Sequence, residues 1–184
     1  MAALASPTRL FFTHLHSHHV LDYADLLWGL WWRRERQVTA YGPRGLRALT
    51  NGLQAAFAED IRLRTEGPQL IVTRGYDAEV HKFDGSLTYE DERVRITGFP
   101  VCHESVEAYG YRFEAANRVV EISGDTTYCD RVVEEARGAD VLFHEVFSER
   151  GLAARTADWQ RYQRSAHASP AQVARVANEA RPGM

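Results

Sequence analysis

Four histidines fall within six positions in the run Thr13-His14-Leu15-His16-Ser17-His18-His19. Neutral imidazole nitrogens are the commonest protein ligands for metal ions, and two from one turn supply half of a tetrahedral set. The run follows Leu10-Phe11-Phe12, an apolar stretch that reads as a buried strand. A strand fixes the backbone, so His14 and His16, two residues apart, leave on the same side. The plain alternative is a solvated histidine cluster or a tag scar. A tag, however, belongs in a polar tail rather than between a strand and a helix. Asp22 lies one helical step beyond and has two readings of equal weight. It receives the second N–H of a ligating imidazole, or it is a first-turn acid favoured by the helix dipole.

Three further chemistry-bearing positions stand at the ends of strand-like runs. His103 comes just after Val94–Phe99, and His144 closes Val141–Phe143. Asp125 follows Gly124 at the end of Val119–Ser123, where a glycine lets the backbone turn and aims the carboxylate above the sheet. Alone, each of these side chains is more often structural. Arriving together at the carboxyl ends of well-separated strands, they point to one shared site of metal-ligand chemistry.

The elements that must position them alternate along the chain. Helical spacing of Leu21, Ala24, Leu27, Trp28 and Trp31 predicts a helix over Val20–Trp32, its tryptophans in the core. A strand over Val38–Tyr41 closes at Gly42-Pro43, and a second helix spans Arg44–Glu59. Short strands are predicted over Leu70–Thr73, Ala78–Phe83, Leu87–Tyr89 and Val94–Phe99, with Asp84-Gly85 as the hairpin turn between the second and third. Tyr109–Glu114 and Val119–Ser123 form another hairpin, and a helix over Asp130–Arg137 precedes Val141–Phe143. An irregular Arg-rich segment follows, then a helix over Ala171–Ala180 with Ser169 as cap and Pro170 in its first turn.

At 184 residues the chain fits one domain able to bury a sizeable core without disulfides. Its two cysteines, Cys102 and Cys129, read as buried thiols of a reduced compartment. Lys82 is the only lysine, and the net charge of −3 gives no general attraction to nucleic acid. No apolar run spans a bilayer. The start of the chain has neither a basic segment nor an apolar core, so the cytoplasm is the default location.

Taken together, these residues resemble the metallo-β-lactamase-fold hydrolases, and within them the branch of ribonuclease Z and its arylsulfatase-like relatives. His14, His16 and His19 match the family's HxHxDH motif, with His18 where Asp is usual. His103 matches its lone histidine after a strand, and Ser123-Gly124-Asp125-Thr126 its bridging-Asp turn. The run Ala139-Asp140-Val141-Leu142-Phe143-His144-Glu145-Val146-Phe147 matches the branch's strand ending in His-Glu. His167-Ala168-Ser169 matches its His-small-Ser/Thr helix start, and Tyr41-Gly42-Pro43 also fits.

The resemblance implies an α/β fold, the αβ/βα sandwich of two facing sheets with helices outside. It implies a two-metal site in which His14, His16 and His103 hold the first ion, Asp125 bridges, and His19 holds the second with His18 beside it. One or two zinc ions are expected, although imidazole and carboxylate ligands suit manganese and iron as well. His167, His144, Glu145 and His18 are the candidate catalytic side chains, with His167 stabilising charge or protonating the leaving oxygen. The implied activity is hydrolysis of a phosphodiester or sulfate ester in a small molecule by a metal-bound hydroxide.

Two departures shape the expectation. The family has strands ahead of its first motif and a last ligating histidine on a strand near its end, whereas no histidine follows His167. The expectation is therefore a single, partial domain over residues 1–184, lacking the N-terminal strands and the C-terminal strand. Unpaired sheet edges then favour a homodimer. The trimmed start leaves the cellular location open, and no membrane contact is expected. Second, His18 brings no negative charge, so the second metal should bind more weakly. One alternative function is a metal-binding domain with weak or no catalysis. Another is a ribonuclease Z-type nuclease processing tRNA 3′ ends, which mild acidity and the lack of a basic insertion disfavour.

Overall fold

The histidine run is presented by a short parallel sheet. The computed structural model describes residues 8–29, 31–33, 36–68, 74–83 and 85–183. Strand β1 (Arg9–Phe11) pairs in parallel with β2 (Val38–Gly42), which pairs in parallel with β3 (Ala78–Lys82). Parallel neighbours require a crossover. Helices α1 (Ser17–Val20) and α2 (Asp22–Trp28) and a 3₁₀ turn over Trp31–Arg33 lie between β1 and β2. Helices α3 (Leu46–Ala56) and α4 (Ala58–Glu66) lie between β2 and β3.

Both helices read from the sequence are thus interrupted, the first at Leu21 and the second at Phe57. Phe57 ends one helix and begins the next, and its ring stacks on Trp28 at 5.1 Å and 4°. Burying that ring bends the chain away from a straight helical path. Tyr23, Leu27, Trp28, Trp31, Val38, Ala40, Leu46 and Ala78 form the core here, each fully buried apolar side chain contributing about 1.5–3 kcal/mol. Trp28 and Trp31 are core residues, as the helical spacing suggested, while Trp32 is partly buried beneath the Arg64 guanidinium.

After Phe83 a second compact unit begins. Its five strands are β4 (Leu87–Glu90), β5 (Arg95–Pro100), β6 (Tyr109–Ala115), β7 (Arg118–Ile122) and β8 (Val141–Phe143), adjacent in that order. The first four pair antiparallel, and β7 pairs with β8 in parallel across helix α5 (Asp130–Ala136). The expected β6–β7 hairpin is present. The hairpin expected between Ala78–Phe83 and Leu87–Tyr89 is not, because β3 pairs with β2 while β4 joins the other sheet. Asp84 of its turn and the strand expected over Leu70–Thr73 lie outside the described residues.

The segment read as irregular is helical: α6 (Glu149–Ala153) and α7 (Ala157–Ala166). Each starts on a side-chain cap, Ser148 accepting from the Gly151 N–H and Thr156 from the Trp159 N–H. Helix α8 (Pro170–Ala180) carries the cap read from the sequence, with Ser169 and Gln172 bonding each other's backbone N–H. Phe99, Val132, Val133, Ala136, Val176 and Ala180 form the core between the sheet and helices α5 and α8. Gly110 is required there, since a Cβ would stand 2.6 Å from the Phe99 ring. Cys129 is buried as expected, whereas Cys102 is exposed. Among the described residues no helix is long and apolar enough to cross a membrane.

Candidate metal centre

In the first unit the chain leaves β1 and turns at once into α1, the His19 N–H donating to the His16 carbonyl at 2.9 Å. That turn gathers the four imidazoles. His14 is fully buried, and its Nε2 lies 3.0 Å from His16 Nδ1. Ring centroids are 4.3 Å apart for His14 and His19 and again for His18 and His19, which are both exposed. Two imidazole nitrogens at hydrogen-bond distance suit a divalent cation drawn from the nitrogen-loving transition metals. Asp22 is exposed in the first turn of α2 and accepts no imidazole hydrogen bond among the described residues. Its place is therefore the helix-dipole one.

In the second unit two loops and the end of helix α7 bring three ligand-type side chains together. His103 follows β5, and Asp125 follows β7 through Gly124, whose φ of 63° is the left-handed turn that glycine allows. Thr126, fully buried, ties the loops: its Oγ1 accepts from the Cys102 N–H at 3.0 Å, and the Thr127 N–H donates to the Cys102 carbonyl at 2.9 Å. Ligand atoms of His103, Asp125 and His167 all lie within 4.8 Å of one another. The His103 Nδ1–H donates to the Ala166 carbonyl at 2.7 Å, which leaves Nε2 as the nitrogen carrying the lone pair. Two imidazoles and one carboxylate, one ring oriented by a backbone carbonyl, are a donor set that fits a divalent metal.

Glu145 organises the far side of this group. Its Oε1 accepts from His167 Nδ1 at 2.9 Å, from the Thr126 N–H at 3.0 Å and from the Ala168 N–H at 3.4 Å. Burial pushes the Glu145 carboxyl above its usual range, against the Thr126 and His167 hydrogen bonds that favour the charged form. With Nδ1–H committed to Glu145, His167 keeps Nε2 for a ligand or a proton. His144 stays outside the three-residue group. Its Nδ1 is turned onto the Glu145 carbonyl at 2.7 Å, its Nε2 is buried without a partner among the described residues, and burial lowers its pKa.

A family model described as "Beta-lactamase superfamily domain" matches residues 2–184. The chain belongs to the β-lactamase superfamily. Within that superfamily it is 32% identical over 140 residues to a ribonuclease Z of Mycobacterium sp. (strain KMS), covering 73% of this chain and 48% of the relative. It is 30% identical over 139 residues to a putative ribonuclease Z of Mycobacterium tuberculosis (strain CDC 1551 / Oshkosh), covering 73% and 62%. The chain thus spans about half the length of the curated relatives it matches. Among solved structures, human tRNase Z, short form, superposes with a TM-score of 0.69 at 20% identity, over 95% of this chain and 69% of that one. The metallo-β-lactamase fold protein YhfI of Bacillus subtilis gives 0.60 at 17% identity, over 95% and 61%. The superfamily and the α/β metallo-β-lactamase fold class are those the motifs resembled, and the relatives bear the name of the branch, ribonuclease Z.

Two supporting groups escaped the sequence reading. The Ala166 carbonyl that fixes His103 has no side-chain signature, and its separation of 63 residues hides it. Thr126 was legible only as part of the turn motif. A threonine after a turn Asp bonds its own neighbourhood as a rule, so its reach to Cys102 needs the fold.

Proposed function

We propose that this chain is a metal-dependent phosphodiester hydrolase of the ribonuclease Z kind, acting on RNA. The observation that carries the proposal is the Glu145–His167 pair beside His103 and Asp125. The relatives' names support the RNA substrate over the small-molecule sulfate ester or phosphodiester that the resemblance implied. As the family resemblance implies, His14, His16, His18, His19, His103 and Asp125 are the residues that would hold one or two zinc ions. Divalent cations there supply Lewis-acid charge and a water acidified towards neutrality. Glu145 accepts the His167 Nδ1–H and fixes the ring, and His167 in its doubly protonated form delivers the Nε2 proton to, or stabilises charge on, the leaving oxygen.

A second reading rests on His18, which stands where the family carries an acid: a domain that binds metal and turns over weakly. The test is hydrolysis of an RNA oligonucleotide, an aryl phosphodiester, an aryl sulfate and a lactone, with zinc or manganese added. Cleavage of the two phosphodiesters is expected, lost with chelator and reduced roughly 10²–10⁴-fold in His167→Ala. Metal-loaded protein that cleaves none of them would leave only the second reading. The homodimer belongs to the same proposal, because β1 and β8 are each paired on one side only among the described residues. Monomers by light scattering at micromolar concentration would dismiss it.

A further inference from the structure

Helices α6 and α7 enclose a cavity of about 420 Å³, within the range of small-ligand pockets. Its floor is apolar, with Phe147 and Leu152 both buried, and one wall is the Trp159 indole, 58% exposed. Arg155 and Gln163 line the same cavity, and neither side chain makes a hydrogen bond or ion pair to any described residue. Trp159 also walls a second, apolar hollow with Tyr162. Residues 148–166 carry four arginines against two carboxylates, in a chain whose net charge is −3.

From Trp159 a line of rings runs to the site. Trp159 meets Tyr162 edge-on at 5.7 Å, Tyr162 meets His167 at 6.3 Å, and His167 meets His103 at 5.1 Å. Along α7, Trp159 and His167 are separated by about 12 Å at 1.5 Å per residue. Nucleotides stacked along one strand are about 3.4 Å apart, so a base at Trp159 is not the one flanking the scissile ester.

We propose that the α6–α7 cavity is a subsite for a nucleobase of single-stranded nucleic acid, at least two nucleotides from the bond that is cleaved. The indole stacks on the base, the Gln163 amide meets its edge, and the Arg155 guanidinium takes the adjacent phosphate. A cavity lined by an indole, an amide and one guanidinium suits a base with its phosphate better than an aliphatic chain, for which Gln163 and Arg155 would be desolvated without return. The inference rests on the phosphodiesterase reading for its direction towards His167, but not for the binding itself.

The test is anisotropy of a labelled single-stranded RNA of about eight nucleotides, titrated with the full chain in chelator so that cleavage is absent. Wild type should quench its tryptophan emission on binding. Trp159→Ala should weaken affinity roughly 5–100-fold, with Trp159→Phe intermediate because a ring is kept. Arg155→Ala should reduce the salt slope of log K by about one. Equal affinities of wild type and both Trp159 variants would overturn the subsite. Preference for an acidic aromatic peptide over the RNA would overturn it too. If binding depends on Trp159 while metal-loaded protein cleaves no phosphodiester, the subsite stands and the catalytic proposal falls. If RNA is cleaved and Trp159 is indifferent to binding, the reverse holds.

Discussion

Glu121→Gln should abolish a pH dependence of stability that originates in the centre of the second sheet. Glu121 on β7 is fully buried, and neither carboxylate oxygen has a hydrogen-bond partner among the described residues. Its cross-strand neighbour is Arg112, whose guanidinium donates instead to the Glu135 and Arg137 carbonyls and to Glu114. Burial first, and the Glu135 charge second, raise the Glu121 pKa from 4.5 to about 8, with Arg112 opposing. The folded protein therefore holds this proton more tightly than the unfolded chain. The stability it confers is complete below about pH 4.5 and is lost progressively as pH rises to about 8. At about 1.36 kcal/mol per pH unit, the loss is about 3 kcal/mol at pH 7 and about 5 kcal/mol above pH 9. Urea unfolding followed by circular dichroism at pH 5, 7 and 9 measures it, with the difference between Glu121→Gln and wild type cancelling other titrating groups. That difference should grow with pH by several kcal/mol. A constant difference across the range would refute the buried, protonated acid.

Two site variants complete the set. Glu145→Gln removes the charged acceptor that orients His167 and should lower kcat on RNA roughly 10–100-fold, with KM nearly unchanged. A rise in KM at constant kcat would show that Glu145 serves binding rather than positioning. His18→Asp restores an acid and should raise aryl phosphodiester hydrolysis and second-metal retention by metal analysis. No gain at saturating metal would mean that His18 is not the weak point of the site.

Much of the chemistry was legible because it sits in local motifs. His14, His16, His103, Asp125 and His167 each follow or open an element that periodicity and caps reveal, and Gly124 announces its own turn. What the sequence concealed were events decided by tertiary packing. Phe57 breaks a periodic helix because its ring is worth more against Trp28. Asp84-Gly85 carries a hairpin signal, yet Ala78 is buried in the first core and β3 pairs accordingly. Helices α6 and α7 were missed for the opposite reason. Few of their side chains are buried: α6 buries Leu152, and of Trp159, Tyr162 and Ala166, which stand at helical spacing on α7, only Ala166 is buried, so the Arg-rich composition hid a real periodicity beside the Ser148 and Thr156 caps.

The carbonyl that receives the His103 proton belongs to the last residue of α7. Being main chain, it needs no particular side chain, but Ala166 is fully buried, so a bulky residue there would push the backbone and disturb the tautomer. The orientation of His103 is thus tied to how the last turn of α7 packs, 63 residues away in the chain, and not to a neighbouring side chain.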